Sequence, residues 1–133
     1  MAPQAPIVNA MLLCEHVHQD RASGKSSLLG VFDELRVSRP AAALDAFAVY
    51  LTVTNMRGRY SIDLRWLHGD TEAELARIGE TEPLDVSDPL SRVEIAVFGN
   101  GLPIPEHGRY VLRLHMNGRH VHDHVMIARE SFD

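Results

Sequence analysis

The chain has 133 residues and 45% apolar side chains, which suits a single domain with its own hydrophobic core. Its formal net charge is -5, and the 13 basic residues form no run longer than a pair, so we expect no nucleic-acid partner. The single cysteine cannot form an internal disulfide, and no segment fits a signal peptide or a membrane span. These features predict a cytoplasmic protein that does not bind membranes.

The first part of the chain predicts an arm followed by a β-hairpin. Residues 1–9 contain two prolines among small residues, and we expect a flexible arm ahead of one folded domain, residues 10–133. Two apolar segments, residues 10–18 and 27–37, flank a turn-forming stretch at residues 20–25. This order is typical of a hairpin.

The middle of the chain predicts a crossover and three strands. Pro40 and the alanines that follow it allow at most one short helical turn, because a helix this short does not persist behind a proline. Residues 47–54 predict a central strand rich in β-branched side chains. Strict alternation in residues 60–68 places Trp66 on the core face, and residues 72–79 predict an edge strand.

The last part of the chain predicts another strand and a second hairpin. Apolar and polar side chains alternate in residues 92–97. The Asn117-Gly118 dipeptide lies between two apolar segments, residues 108–116 and 119–128, which is a strong signal for a two-residue turn.

Together these elements predict an all-β fold. Seven or eight short strands separated by turn signals, with no long helical period, are typical of an antiparallel β-sandwich. Tyr110 stands two residues after Gly108 at the start of a late strand, which is typical of a tyrosine corner and favours an immunoglobulin-like sandwich. The alternative is an ordinary core tyrosine.

Two segments carry a family resemblance. The sequence reads LLCE at residues 12–15 and GKSSLLGVFD at residues 24–33. With the Tyr110 strand and the Asn117-Gly118 hairpin, it resembles an uncharacterised bacterial family whose members are domains of unknown function. The resemblance implies a small β-rich fold and a bacterial origin, and it supplies no catalytic residues.

Histidines are concentrated in the second hairpin, with five of the eight between His107 and His124. A two-residue turn predicts these cross-strand pairs: His115 with His120, Leu114 with Val121, and Arg113 with His122. Side-chain alternation then predicts one shared face, which also includes Arg113. The histidines expected on that face are His115, His120, His122 and His124.

This histidine face suggests a metal site. Imidazoles on paired strands can reach one zinc or nickel ion. The alternative is a solvated polar face, because an open sheet lacks the partners that orient neutral imidazoles, and Arg113 repels a cation. The order His120-Val121-His122-Asp123-His124 is one residue short of the His-x-His-x-Asp-His motif of metallo-β-lactamase-like hydrolases, so we reject that resemblance.

Three hypotheses for function remain. The sequence contains no nucleophile elbow or phosphate loop, so we expect neither an enzyme nor a required cofactor. The first hypothesis is an interaction module that binds a protein or itself, because edge strands must be paired or protected. The second is a metal-binding protein that uses the histidine face. The third is small-ligand or glycan binding at the loop end of the sandwich, with residues 102–107 as a rim.

Overall fold

The computed structural model describes residues 5–37, 42–80 and 82–130, which form fourteen strands and no helix. In chain order the strands are β1 (Ile7–Cys14), β2 (His16–Gln19), β3 (Ser26–Leu29), β4 (Glu34–Val37), β5 (Ala42–Leu44), β6 (Phe47–Thr54), β7 (Gly58–Tyr60), β8 (Ile62–His68), β9 (Glu74–Glu80), β10 (Leu84–Val86), β11 (Val93–Gly99), β12 (Leu102–Ile104), β13 (Gly108–Met116) and β14 (Arg119–Glu130).

Two larger sheets make up most of the fold. One has five strands in the order β4-β14-β13-β8-β9, and the other has three in the order β1-β6-β11. Three two-stranded ribbons accompany them: β2-β3, β5-β12 and β7-β10. The pairings are antiparallel except for β4 with β14. The predicted all-β, antiparallel fold class is confirmed.

The core is built from the inward-facing side chains of both larger sheets. β6 is the middle strand of its sheet, as predicted, and both of its faces are covered because Ala48 and Thr52 are buried as well as Leu51. Trp66 of β8 is fully buried, as predicted, and its indole Nε1 donates to the Pro103 carbonyl oxygen at 2.8 Å. That bond satisfies the polar group of a buried indole.

The number of strands exceeds the predicted seven or eight because apolar segments are divided. Glu15 separates β1 from β2, and its backbone N–H donates to the carbonyl oxygens of Leu29 and Gly30 at 3.0 and 3.1 Å. The predicted first hairpin is therefore the short pair β2-β3 rather than the whole of residues 10–37. Ser61 separates β7 from β8, and its backbone N–H donates to a side chain, Asn117 Oδ1, at 2.8 Å.

One predicted boundary is wrong, and one stretch left without a strand contains one. The residues after Pro40, for which at most one helical turn was expected, include β5, which is extended because β12 provides a partner strand, with Leu44 opposite Leu102. Pro40 lies outside the described residues. β1 begins at Ile7, inside the expected arm of residues 1–9, because β6 continues to Thr54 and pairs with Ile7 there. The edge strand predicted at residues 72–79 is confirmed as β9.

Candidate functional site

The second hairpin turns at Asn117 and Gly118, as predicted. Both residues have positive φ, 53° and 77°, as a type I′ turn requires. Asn117 also binds outside its own hairpin, because its Oδ1 accepts from the Ser61 N–H at 2.8 Å and its Nδ2 donates to the Arg59 carbonyl oxygen at 3.0 Å. The side chain ties the hairpin tip to β7 and β8, a role that the turn pattern does not reveal.

A β-bulge in β14 changes the predicted register just after the turn. His115 pairs with His120 as expected. Val121, however, has no partner in the ladder, and Leu114 pairs with His122 instead. A bulge inserts one residue and so exchanges the faces of all residues beyond it. Val121 packs against the hydrophobic core, which accounts for the insertion at this position.

The bulge divides the histidines between two faces. Arg113 pairs with Asp123 on the outer face of the five-stranded sheet, whereas His124 pairs with Leu112, which is fully buried in the core. His122 and His124 therefore point towards the inner side of the sheet. The prediction of one face shared by His115, His120, His122 and His124 is wrong.

The outer face of the hairpin is a network of paired charges. Arg113 donates to both carboxylate oxygens of Asp123, at 2.9 and 3.1 Å, and to Glu72 at 3.0 Å. His120 Nε2 lies 2.7 Å from Asp123 Oδ1. The bonds from Arg113 are the main reason that the pKa of Asp123 is lowered. This carboxylate is already engaged as a structural ion-pair partner.

Two histidines remain together on that face. The ring centroids of His115 and His120 are 6.0 Å apart. Burial, followed by the positive charge of Arg65, lowers the pKa of His115. Among the described residues, no three His, Cys, Asp or Glu side chains are grouped so as to hold a metal ion. Zinc or nickel binding stays a prediction, with two imidazoles rather than four on the outer face.

His124 is the most unusual titratable group on the inner side. Its Nε2 is buried and has no hydrogen-bond partner in the described part of the chain. Burial lowers the pKa of His124; the negative charge of Asp33 opposes this shift and the nearby His122 adds to it. The environment therefore favours the neutral imidazole.

Two buried tyrosines fasten chain connections to the core. The Tyr110 hydroxyl donates to the Glu106 carbonyl oxygen at 2.5 Å and accepts from the Glu106 N–H at 3.1 Å, which is the bonding expected of a tyrosine corner. Its ring stacks on Trp66 with centroids 5.1 Å apart. Tyr60 makes the same two bonds with Arg57, which the sequence analysis missed. The immunoglobulin-like character stays a prediction.

The free edges of the two larger sheets differ in charge. The edge strands are β1 and β11 in one sheet, and β4 and β9 in the other. Charged residues occur in three of them: Glu94 in β11, Glu34 and Arg36 in β4, and Glu74, Arg77 and Glu80 in β9. β1 has the sequence IVNAMLLC and carries no charge. Charge is a common protection of edge strands, and β1 lacks this protection.

A groove of about 730 Å³ lies between the β3–β4 connection and β5, and we call it the apolar groove. Six of its lining residues are apolar and large: Val31, Phe32, Leu35, Val37, Leu44 and Ile104. Its ionisable lining residues are Glu15, Glu34, Arg36 and Asp45. The size and the predominantly apolar lining are those of a small-molecule site.

A second groove, of about 560 Å³, lies where β13 begins and β14 ends. Its lining includes Arg36, Arg109, Arg129 and His107. The arginines are bound locally: Arg129 Nε lies 3.3 Å from Glu34, and Arg109 donates to the Gly69 carbonyl oxygen at 3.1 Å. The guanidinium groups of Arg129 and Arg109 are thus already bound by a carboxylate and by a backbone carbonyl oxygen.

Comparison with known families bears on the whole domain. A family described as "Family of unknown function (DUF6941)" matches residues 9–128. The chain belongs to DUF6941. The match extends from within β1 to within β14, so it includes most of both larger sheets, all of the apolar groove and all but two lining residues of the second groove. The description of DUF6941 names no activity, and no curated protein matches the chain.

Membership of DUF6941 agrees with the resemblance to an uncharacterised family seen in the sequence. The residues that the structure describes contain no helix long and apolar enough to cross a bilayer. The function of this DUF6941 member must therefore be argued from its own surfaces.

Proposed function

We propose that this DUF6941 domain is a non-enzymatic interaction module that associates with a second copy of itself through the free edge of β1. The observation that carries the proposal is the absence of any charged residue from this edge strand. A cytoplasmic location, expected from the single cysteine, belongs to the same proposal.

The free part of the edge is the first half of β1. One side of the strand pairs with β6 along its length. The described residues make one β-bridge to the other side of the strand, between Leu13 and Phe32. In this bridge the Phe32 N–H donates to the Leu13 carbonyl oxygen at 2.9 Å. The segment before that bridge begins at Ile7, which is 53% exposed. In the described part of the chain, no strand pairs with the outward backbone groups of this segment.

A second copy suits this edge better than a charged partner strand does. Two identical strands related by a two-fold axis run antiparallel and meet the same residues in reverse order. Like charges opposite one another would oppose such pairing, and β1 has none. Pairing of two β1 strands would join two three-stranded sheets into one of six strands.

The bulge in β1 limits how strong this association is. The register with β6 shifts between Val8 and Ala10, and a bulge bends and twists the strand that contains it. The straight part available to a partner is short, so the interface is small. We expect a reversible dimer with a dissociation constant in the micromolar range or weaker.

The proposal assigns no reaction because the prominent polar side chains have structural bonds. Tyr110 fastens the β12–β13 connection, Asn117 fastens the hairpin tip, and Arg113 and Asp123 hold each other. Cys14 is fully buried, and burial raises the pKa of its thiol, which disfavours the nucleophilic thiolate.

The test compares lysine substitutions on the two edges of the three-stranded sheet. Ile7→Lys and Asn9→Lys change exposed positions of β1, and Phe98→Lys changes a 62% exposed position of β11 as the matched control. Sedimentation velocity over a wide concentration range is expected to give a concentration-dependent dimer for wild type and Phe98→Lys, and a monomer for the two β1 variants.

Two results would overturn the proposal. One is a wild-type protein that stays monomeric at the highest concentrations reached. The other is a dimer that persists in both β1 variants but is lost in Phe98→Lys, which would move the interface to β11. Circular dichroism and melting curves confirm that each variant is folded before its mass is interpreted.

A further inference from the structure

We infer that the apolar groove is a binding site for a small organic cation, an amine carried on an apolar body. This inference goes beyond self-association and does not rest on it. Its three supports are the apolar lining of the groove, an exposed apolar side chain on its wall, and two carboxylates at its rim.

Within the part of the chain that the structure describes, the groove offers exposed apolar surface. Leu35 and Ile104 form buried parts of its lining, with 5% and 0% exposure. Val31, in contrast, is 52% exposed although it lines the same groove. Covering this surface removes apolar area from water, which favours a ligand with an aromatic or aliphatic body.

Two carboxylates lie at the same end of the three-stranded sheet. Cys14 pairs with Ala48, so Glu15 directly follows the end of β1, and Asp45 precedes the start of β6. The Glu15 carboxyl carbon lies so close to Gly30 that a Cβ there would approach it to 2.7 Å. The Glu15 carboxyl group is therefore positioned over the Gly30 backbone on the groove wall.

Two of the groove carboxylates have no partner among the described residues: the side chains of Glu15 and Asp45 make no hydrogen bond or ion pair there. Glu34 differs, because its Oε1 lies 2.6 Å from Arg36 Nη2 and 3.3 Å from Arg129 Nε. Within the described part of the chain, the groove acids that remain to attract a ligand are therefore Glu15 and Asp45, and both attract a cation.

The ligand chemistry follows from this combination. A carboxylate on an apolar wall recognises an ammonium group through a charge-assisted hydrogen bond. The two acids would disfavour a carboxylate or phosphate ligand by like-charge repulsion. The groove volume of about 730 Å³ accommodates a molecule of metabolite size.

The experiment uses three probes with the same ring and different charge: benzylamine, benzyl alcohol and benzoate. Each is titrated into the 133-residue chain, and backbone amide shifts are followed by two-dimensional NMR. We expect saturable shifts with benzylamine at Val31, Phe32 and Leu44, weaker binding of benzyl alcohol, and no shift at these residues with benzoate.

Variants test the role of the carboxylates. Asp45→Asn and Glu15→Gln are each expected to weaken benzylamine binding roughly two- to fivefold, the effect of losing one exposed ion pair. Asp85→Asn is the matched control, because Asp85 is an exposed acid whose 3.8 Å ion pair with Arg59 lies on the β7-β10 ribbon. The affinity of Asp85→Asn for benzylamine should equal that of wild type.

The inference is overturned if benzylamine causes no saturable shift at the groove residues. It is also overturned if benzoate binds there as tightly as benzylamine, or if neither carboxylate substitution weakens binding relative to Asp85→Asn. Benzylamine shifts that are confined to residues outside the groove would also overturn the inference.

Discussion

The substitution Tyr110→Phe measures how much the tyrosine corner contributes to stability. It removes the hydroxyl that donates to the Glu106 carbonyl oxygen at 2.5 Å and accepts from the Glu106 N–H at 3.1 Å. Each hydrogen bond contributes about 1 kcal/mol net, so two contribute about 2 kcal/mol. Glu106 is exposed, and water can replace the lost partner. We therefore expect the free energy of unfolding to fall by about 1.5 kcal/mol.

Urea unfolding followed by tryptophan fluorescence is the assay. With a slope of about 2 kcal/mol per molar urea, a loss of this size lowers the midpoint by about 0.7 M. The native emission spectrum should not change, because phenylalanine keeps the ring that stacks on Trp66. Tyr60→Phe removes an equivalent pair of bonds to Arg57 and is expected to have a comparable effect. A midpoint for Tyr110→Phe within error of wild type would refute the reasoning.

Three further predictions concern stability. Gly69→Ala places a Cβ 2.3 Å from the Arg109 carbonyl oxygen, and a loss of about 3 kcal/mol is expected in urea unfolding. Asn117→Gly keeps the turn conformation but removes both side-chain bonds of the hairpin tip, and should cost about 1 to 2 kcal/mol in the same assay. Burial lowers the pKa of His124, so the unfolded state binds its proton more readily, and stability should fall as the pH decreases through about 6.5. Melting temperatures measured from pH 8 to 5 should decline less in His124→Leu than in wild type.

The sequence was sufficient for those elements whose signal is local. The Asn117-Gly118 turn follows from the positive φ that both residues accept, and the position of Trp66 follows from strict alternation along one strand. The tyrosine-corner bond of Tyr110 was also expected from its position after a glycine. In each case neighbouring residues in the sequence determine the outcome.

The missed features depend on distant partners. The bulge at Val121 is favoured by packing against the core, and nothing in the residues around it distinguishes it from a regular strand. One inserted residue moves every side chain beyond it to the opposite face of the sheet. An error of one residue in register therefore led to the wrong prediction that four histidines share a face. Likewise, the three residues of β5 are a strand only because β12 lies beside them, a pairing across more than fifty residues.

The two proposed surfaces meet at the Leu13–Phe32 bridge but use different residues, and they should operate independently. The free edge lies in β1 and runs from Ile7 to that bridge, while the apolar groove is lined by Phe32 of the bridge and by Glu15, which follows β1. Six residues of extended chain separate Asn9 from Glu15, which corresponds to about 20 Å. A dimer formed through the edge therefore leaves both grooves open. Saturating benzylamine should not change the dissociation constant measured by sedimentation, and a shift in that constant would mean that the bridge couples the two surfaces.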